Sequence, residues 1–291
     1  MSWWRLLALA VVLALLSALT YGVSDYLAGV TSRAWDSRLV TAATQLIGLA
    51  TAVVAVLLFP GQGPGATPIL WGALSGVGSA VGVLALYQGL AIGSMSVVAP
   101  LCGVLTCVIP AVIGIILGEQ LTALELAGII LAVPAVGLVS RPPGSAPGAR
   151  RAGGASLGLV AGAGFGLLFV ALDLAGRRHG AWPLLPGQGV SLLLVLPFAR
   201  RGLRTAKAPA GRTLATTITA GILSGTVNLL YLLAARYGEL AIIGVVTSLY
   251  PAGTVLIARL RLPRALEPRS DHRNARRGPR GRPRRGPLTA G

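Results

Sequence analysis

Long apolar runs separated by short polar breaks dominate the pattern of this chain. Because about 20 mostly apolar residues suffice to cross a bilayer as a helix, nine spanning helices are predicted. They cover residues 6–27, 39–59, 69–92, 95–117, 121–139, 156–175, 184–199, 214–235 and 240–260. The seventh is the weakest, since it is short and bounded by Pro186 and Pro197. The pattern predicts an all-α membrane protein, a polytopic helical bundle.

The chain also repeats itself at an offset of 145 residues. At that offset Gly76 coincides with Gly221 and Ser79 with Ser224. Two homologous halves of five helices each would be inverted relative to one another, because five is an odd number. Inverted repeats with a substrate site at the midplane between them are typical of secondary transporters.

The repeat divides the chain into four predicted parts. These are a first repeat of five helices (1–140), an inter-repeat loop (141–155), a second repeat of four helices (156–262) and a tail (263–291). The tail is rich in Arg, Gly and Pro and is predicted to be disordered. It stands where the tenth helix is expected, and the change in composition is abrupt. One hypothesis is that residues from about 261 are out-of-frame translation.

Composition excludes a soluble enzyme domain. Only 11% of the residues are charged and 54% are hydrophobic, whereas soluble domains carry about 25% charged residues. The net charge of +17 would suggest nucleic acid binding in a soluble protein. However, the segment from Arg259 to the end holds 11 Arg and two acids, so +9 of that charge lies near the tail. No nucleic acid partner is expected, with tail binding to anionic lipid or nucleic acid kept as an alternative.

Several phrases, taken in order, resemble the EamA-type transporters of the drug/metabolite transporter superfamily. They are residues 89–100, the Leu-Gly-Glu-Gln-Leu of 117–121, the Asn-Leu-Leu-Tyr of 228–231 and the Ser-Leu-Tyr-Pro of 248–251. The likeness covers roughly residues 6–262. It implies ten helices in two repeats and export or exchange of small metabolites, often amino acids or drugs. The missing tenth helix is where this chain departs from that pattern.

Polar side chains inside apolar spans are the candidate substrate-binding residues, because each needs a partner away from water. Asp25 has two readings: a site for a substrate amine or a proton, or an interfacial acid near Arg33. For each uncharged polar residue, ordinary packing is the alternative. The predicted substrate-binding set is Tyr21, Asp25, Tyr87, Gln88, Asn228, Tyr231 and Tyr250.

Other acids and the glycines have structural interpretations. Asp173 is expected to form a local ion pair with the Arg177–Arg178 segment, and Glu119 to act at a helix turn or a helix start. Glycines four residues apart are expected to allow close helix packing. These pairs include Gly72/Gly76, Gly78/Gly82, Gly158/Gly162/Gly166 and Gly221/Gly225.

The sequence therefore predicts a secondary transporter of small metabolites, an exporter or exchanger, that works by alternating access in the plasma or inner membrane. No catalytic arrangement, cofactor or metal site is predicted, so the protein is expected not to be an enzyme. Its expected partners are a small-molecule substrate and the lipid bilayer. Proton coupling through Asp25 is one option and no coupling is another; monomer and homodimer are both open. The rival interpretation is a truncated membrane protein that does not transport.

The distribution of Lys and Arg predicts a membrane orientation opposite to the one that the family resemblance implies. The positive-inside rule places the end with more Lys and Arg in the cytoplasm and the N-terminus outside, whereas the resemblance implies a cytoplasmic N-terminus. Four cations are assigned to the N-terminal end: Arg5, Arg177, Arg178 and Arg236. Ten are assigned to the opposite end: Arg33, Arg38, Arg141, Arg150, Arg151, Arg200, Arg201, Arg204, Lys207 and Arg212.

Overall fold

The structure is a computed structural model. It describes residues 3–93, 95–124, 126–128, 130–131, 134, 150–176, 178–204 and 208–250. The predictions for the tail, for most of the inter-repeat loop and for the last ten residues of the ninth span lie outside the described residues. All regular secondary structure in the described part is helical.

The described helices confirm a polytopic helical membrane protein. Six of them are long and apolar enough to cross a membrane. Described residues at 123–124, 126–128 and 130–131, inside the predicted fifth span, are helical as well. The other helices are α1 (Trp3–Ala34), α2 (Ser37–Leu58), α3 (Ala66–Ile92), α4 (Met95–Ile116), α5 (Arg150–Leu174), α6 (Leu184–Leu203), α7 (Gly211–Ala235) and α8 (Leu240–Thr247).

Helix α1 is longer than predicted, and this changes the position of Asp25. The apolar run suggests an end at Leu27, but the helix continues to Ala34. No proline interrupts this stretch, and the hydroxyl of Thr31 donates a hydrogen bond to the Leu27 carbonyl at 2.8 Å within the helix. Asp25 therefore lies nine residues before the helix end, inside the bundle.

The start of α5 and the end of α6 also differ from the prediction, for local reasons. Helix α5 begins at Arg150, six residues before the predicted start at 156 and within the predicted loop. Helix α6 ends at Leu203 rather than at 199, because Pro197 is accommodated inside the helix. Although α6 has the weakest apolar signal, it packs against both α2 and α3.

The helices pack in a pattern that is preserved when the two halves are exchanged. Helix α3 of the first half packs extensively on α5, and α7 of the second half packs extensively on α1. In the same way, α3 contacts α6 while α7 contacts α2. Each half thus buries its first and third helices against the other half, as two similar repeats require.

Residue contacts set the direction of each pair. Helices α1 and α7 are antiparallel, since Ser17 donates to the Val227 carbonyl and Ser24 to the Ala220 carbonyl. Glycine contacts make α3 and α5 antiparallel, α2 and α6 antiparallel, α2 parallel to α7 and α3 parallel to α6. It follows that α5 runs opposite to α1, α6 opposite to α2, and α7 opposite to α3. The two halves have inverted topology, as the odd helix number predicts.

Helices approach one another closely at the glycines, as predicted. A Cβ atom on Gly78 of α3 would lie 2.5 Å from the carbonyl oxygen of Gly164 on α5. One on Gly164 would lie 2.5 Å from the backbone nitrogen of Gly82. Backbones this close gain dispersion contacts inside a membrane, so the glycine-rich stretch of α3 is a packing surface.

The helix directions also show at which end of the bundle each described cationic residue lies. Described Arg178 and Arg236 lie at the same end of the bundle as Arg5, called here the N-terminal end. The opposite end carries Arg33, Arg38, Arg200, Arg201 and Arg204. Among described residues the two predicted groups are therefore separated in space, while the end that faces the cytoplasm stays a prediction.

Candidate functional site

Four of the predicted residues meet between the two halves of the bundle. Tyr21 and Asp25 come from α1, Tyr87 from α3 and Tyr250 from just beyond the turn that follows α8, and each is at most 5% exposed. The rings of Tyr21 and Tyr250 lie 4.6 Å apart, centroid to centroid. Tyr21 is 18 residues from the start of α1 and 13 from its end, so the group lies near mid-depth.

Two phenylalanines and a cysteine complete this group. Phe165 and Phe169 of α5 present their rings to Tyr21 nearly edge-on, at centroid distances of 5.5 Å and 6.3 Å. Cys102 of α4 shares a hydrogen bond of 2.9 Å with the hydroxyl of Tyr250. We call Tyr21, Asp25, Tyr87, Cys102, Phe165, Phe169 and Tyr250 the central cluster.

Asp25 is the single acid of the central cluster. It is 3% exposed, and its Oδ2 atom has no hydrogen-bond partner among the described residues. It interacts electrostatically with Tyr21, Tyr87 and Tyr250. An ionised carboxylate in such a place is costly unless a cation or a proton compensates it.

Arg33 does not supply that compensation. Its Nε atom donates a hydrogen bond to the carbonyl of Leu90 at 3.1 Å, and it lies eight residues along α1 from Asp25. The interpretation of Asp25 as an interfacial acid beside Arg33 is therefore wrong, because α1 extends well past the predicted end.

The remaining predicted residues lie outside the central cluster. Tyr231 stacks on Phe169 at 4.2 Å and donates its hydroxyl to the Phe169 carbonyl at 3.2 Å, so it supports one wall. Asn228 lines a small pocket together with Ser79 and Gln188. Gln88 is exposed and lines a groove on the outer face of the bundle.

A second polar group lies between α2, α3 and α6. The Nε2 atom of Gln45 donates to Ser79 at 3.0 Å and also to the hydroxyl of Ser191. Gln188 is buried, and its Oε1 atom has no partner among the described residues. Ser79 and Gln188 also line the pocket of Asn228, so polar side chains of both halves meet there.

Sequence reasoning missed Cys102, Phe165, Phe169 and Gln188. A signal existed for Phe165, because the phrase Phe165-Gly166 resembles Tyr21-Gly22 in the first half. Cysteine and phenylalanine look like ordinary apolar core in a membrane helix, so nothing distinguished Cys102 and Phe169 before the helices were placed.

Glu119 and Asp173 lie toward the N-terminal end of the bundle. Glu119 accepts hydrogen bonds from the backbone N–H groups of Leu240 and Ala241 at 2.7 Å and 2.9 Å. Its predicted role at a helix start is confirmed, although the helix belongs to the other half. Asp173 lines a small pocket with Arg236; Arg177 lies outside the described residues, so an ion pair there stays a prediction.

Comparison with known proteins shows what the first half of the chain resembles. The EamA-like transporter family matches residues 8–141. Over these residues the chain is similar to that family. A protein of known crystal structure superimposes with a TM-score of 0.64 over 88% of this chain and 90% of that chain. At 18% identity, that likeness shows a shared fold. Among curated proteins, none matches the sequence.

The EamA-like half contributes Tyr21, Asp25, Tyr87 and Cys102 to the central cluster. The aromatic wall of Phe165 and Phe169 and the ring of Tyr250 come from the second half. Neither half alone builds the cluster, and any relative movement of the two halves changes its shape.

Proposed function

We propose that this EamA-like membrane protein is a secondary transporter that exports or exchanges small metabolites carrying a positively charged amine. The observation that carries this proposal is the buried carboxylate of Asp25, whose Oδ2 atom lacks a hydrogen-bond partner among the described residues. A substrate ammonium group placed beside it removes the cost of the buried charge. The ammonium group of the substrate thus provides the partner for Asp25 Oδ2 that the described residues do not provide.

The rings around Asp25 suit the same substrate. The faces of aromatic rings attract cations, and the rings bury apolar surface. Tyr21, Phe165 and Phe169 form such a wall, while the hydroxyl of Tyr87 interacts with those of Thr44 and Ser24. A small molecule with one ammonium group and an apolar or aromatic body fits this combination.

Alternating access follows from the position of the cluster between inverted halves. In inverted-repeat transporters one half rocks against the other around a midplane site. Here Asp25 belongs to the first half and the phenylalanine wall to the second. Rocking of the two halves would open the cluster first to one side of the membrane and then to the other. A proton would bind to the Asp25 carboxylate when the amine leaves.

Ligand binding to the purified protein tests the substrate class. Phenethylamine serves as the cationic probe and 2-phenylethanol as its uncharged analogue. We expect the amine, and not the alcohol, to raise the unfolding temperature of the wild-type protein. Asp25→Asn should abolish that difference, whereas Asp173→Asn, an acid outside the cluster, should retain it.

Transport into proteoliposomes then tests the function itself. Proteoliposomes with wild-type protein should take up radiolabelled phenethylamine down an imposed concentration gradient of the amine, and those with Asp25→Asn should not. Binding without transport would contradict the transporter proposal. An amine preference that survives in Asp25→Asn would instead contradict the role of Asp25.

A further inference from the structure

A groove on the lipid-facing side of the bundle differs in character from the central cluster. It has a volume of about 340 Å³ and lies between α2, α3, α5 and α6. Its walls include the apolar side chains of Val81, Leu84, Val160 and Phe198. Two arginines, Arg38 and Arg201, also line it.

The arginines lie at one end of the groove. Arg38 is the second residue of α2, and Arg201 lies two residues before the end of α6. Val81 precedes the end of α3 by 11 residues, which corresponds to about 16 Å at 1.5 Å per residue. The hydrocarbon core is about 30 Å thick, so the apolar walls reach through about one leaflet from the arginines.

The arginines at this end outnumber Asp36, the one acid there among the described residues. Arg38 and Arg201 are both exposed. Asp36 accepts a hydrogen bond from the backbone N–H of Arg38 at 2.8 Å and thereby caps α2. Exposed guanidinium groups bind phosphate through paired hydrogen bonds. Both arginines belong to the cation-rich end, which the positive-inside rule assigns to the anionic cytoplasmic leaflet.

We propose that this groove binds an anionic phospholipid of the surrounding leaflet. The phosphate lies between Arg38 and Arg201, and one acyl chain lies along Val81, Leu84 and Phe198. Cations at headgroup depth above an apolar channel one leaflet long match a lipid and do not match a soluble metabolite. The proposal does not depend on the amine substrate, since the groove and the central cluster share no residue.

Native mass spectrometry of the purified full chain measures this binding. Phosphatidylglycerol is titrated against phosphatidylcholine with the same acyl chains. We expect wild-type protein to bind phosphatidylglycerol about tenfold more tightly, because each cation near an anionic headgroup adds to affinity. Equal binding of the two lipids by the wild-type protein would overturn the proposal.

Matched variants test the two parts of the groove. Arg38→Gln with Arg201→Gln should remove the preference for phosphatidylglycerol. Arg200→Gln with Arg204→Gln removes the same charge from the same end of the bundle, but neither residue lines the groove, so the preference should persist. Equal loss in both double variants would show attraction by diffuse charge and would overturn a specific site.

Two further measurements concern the acyl chain. Val160→Trp fills the groove and should weaken the binding of both lipids at least severalfold. Circular dichroism checks that the variant is folded. Glycerol phosphate, which has the headgroup chemistry without chains, should bind far more weakly than phosphatidylglycerol. If it binds equally well, or if Val160→Trp leaves lipid affinity unchanged, the groove does not hold a lipid.

Discussion

The carboxylate of Glu119 accepts a hydrogen bond from the backbone N–H of Leu240 at 2.7 Å, joining the end of α4 to the start of α8. An acid from the first half therefore satisfies the first turn of a helix in the second. At the 145-residue offset, Leu240 corresponds to Met95 and Glu119 to Arg264. An arginine side chain has no acceptor atom, so the two halves are not equivalent in their ability to make this contact.

Replacing Glu119 should destabilise the protein. Glu119→Ala removes two hydrogen-bond acceptors and a negative charge from the N-terminus of α8. We expect a loss of about 1–2 kcal/mol in the free energy of unfolding, measured by thermal unfolding in detergent. Gln120→Ala, at the exposed neighbouring residue, is the control. Equal stability of the two variants would show that the contact contributes nothing.

Transport should depend on pH through Asp25. The amine and a proton compete for one carboxylate, so lowering the pH on the binding side should weaken the apparent affinity for phenethylamine. Asp25→Asn should abolish both binding and its pH dependence, while Asp25→Glu should retain part of each. Proteoliposome uptake at several pH values measures this. A wild-type affinity that does not change with pH would exclude proton competition at this residue.

The contact between α3 and α5 should not tolerate an added methyl group. Gly78→Ala places a Cβ atom 2.5 Å from the carbonyl oxygen of Gly164, which forces the helices apart. Overpacking of this kind costs about 1–3 kcal/mol. The measurement is membrane abundance together with the unfolding temperature. Gly189→Ala in α6 is the control, since its Cβ would meet no atom within 4 Å.

Tyr231 should affect transport more than folding. Tyr231→Phe keeps the ring stacked on Phe169 and removes one buried hydrogen bond, worth about 0.5–1.5 kcal/mol. We expect nearly normal membrane abundance but slower transport, because Phe169 is a wall of the central cluster. Asn228→Ala should likewise impair transport. If abundance and transport fall together in either variant, its role is packing.

Labelling at opposite ends of the bundle decides the orientation. Gln62 lies in the loop between α2 and α3 at the N-terminal end, and Ala210 lies before α7 at the opposite end; both are exposed. The natural Cys102 and Cys107 are buried, so they should label weakly. In intact cells an impermeant maleimide should react with Gln62→Cys and not with Ala210→Cys. The reverse pattern would place the N-terminus in the cytoplasm.

The sequence by itself determined the class of this protein and predicted its arrangement in repeats. Apolar runs of about 20 residues have few stable structures other than spanning helices. An odd number of helices per repeat leads to inversion without further information. The polar residues within those runs then marked Tyr21, Asp25, Tyr87 and Tyr250, because polar groups are costly there.

Only the tertiary structure decided which of these residues meet. Tyr87 and Gln88 are adjacent in sequence, yet one is buried in the central cluster and the other faces the outer groove, because neighbouring helix positions point in different directions. Hydropathy does not reveal which side of a membrane helix faces protein and which faces lipid, since both surroundings are apolar. For the same reason Phe169 and Cys102 became recognisable as candidate site residues only when the packing of α4 and α5 against α1 and α3 was known.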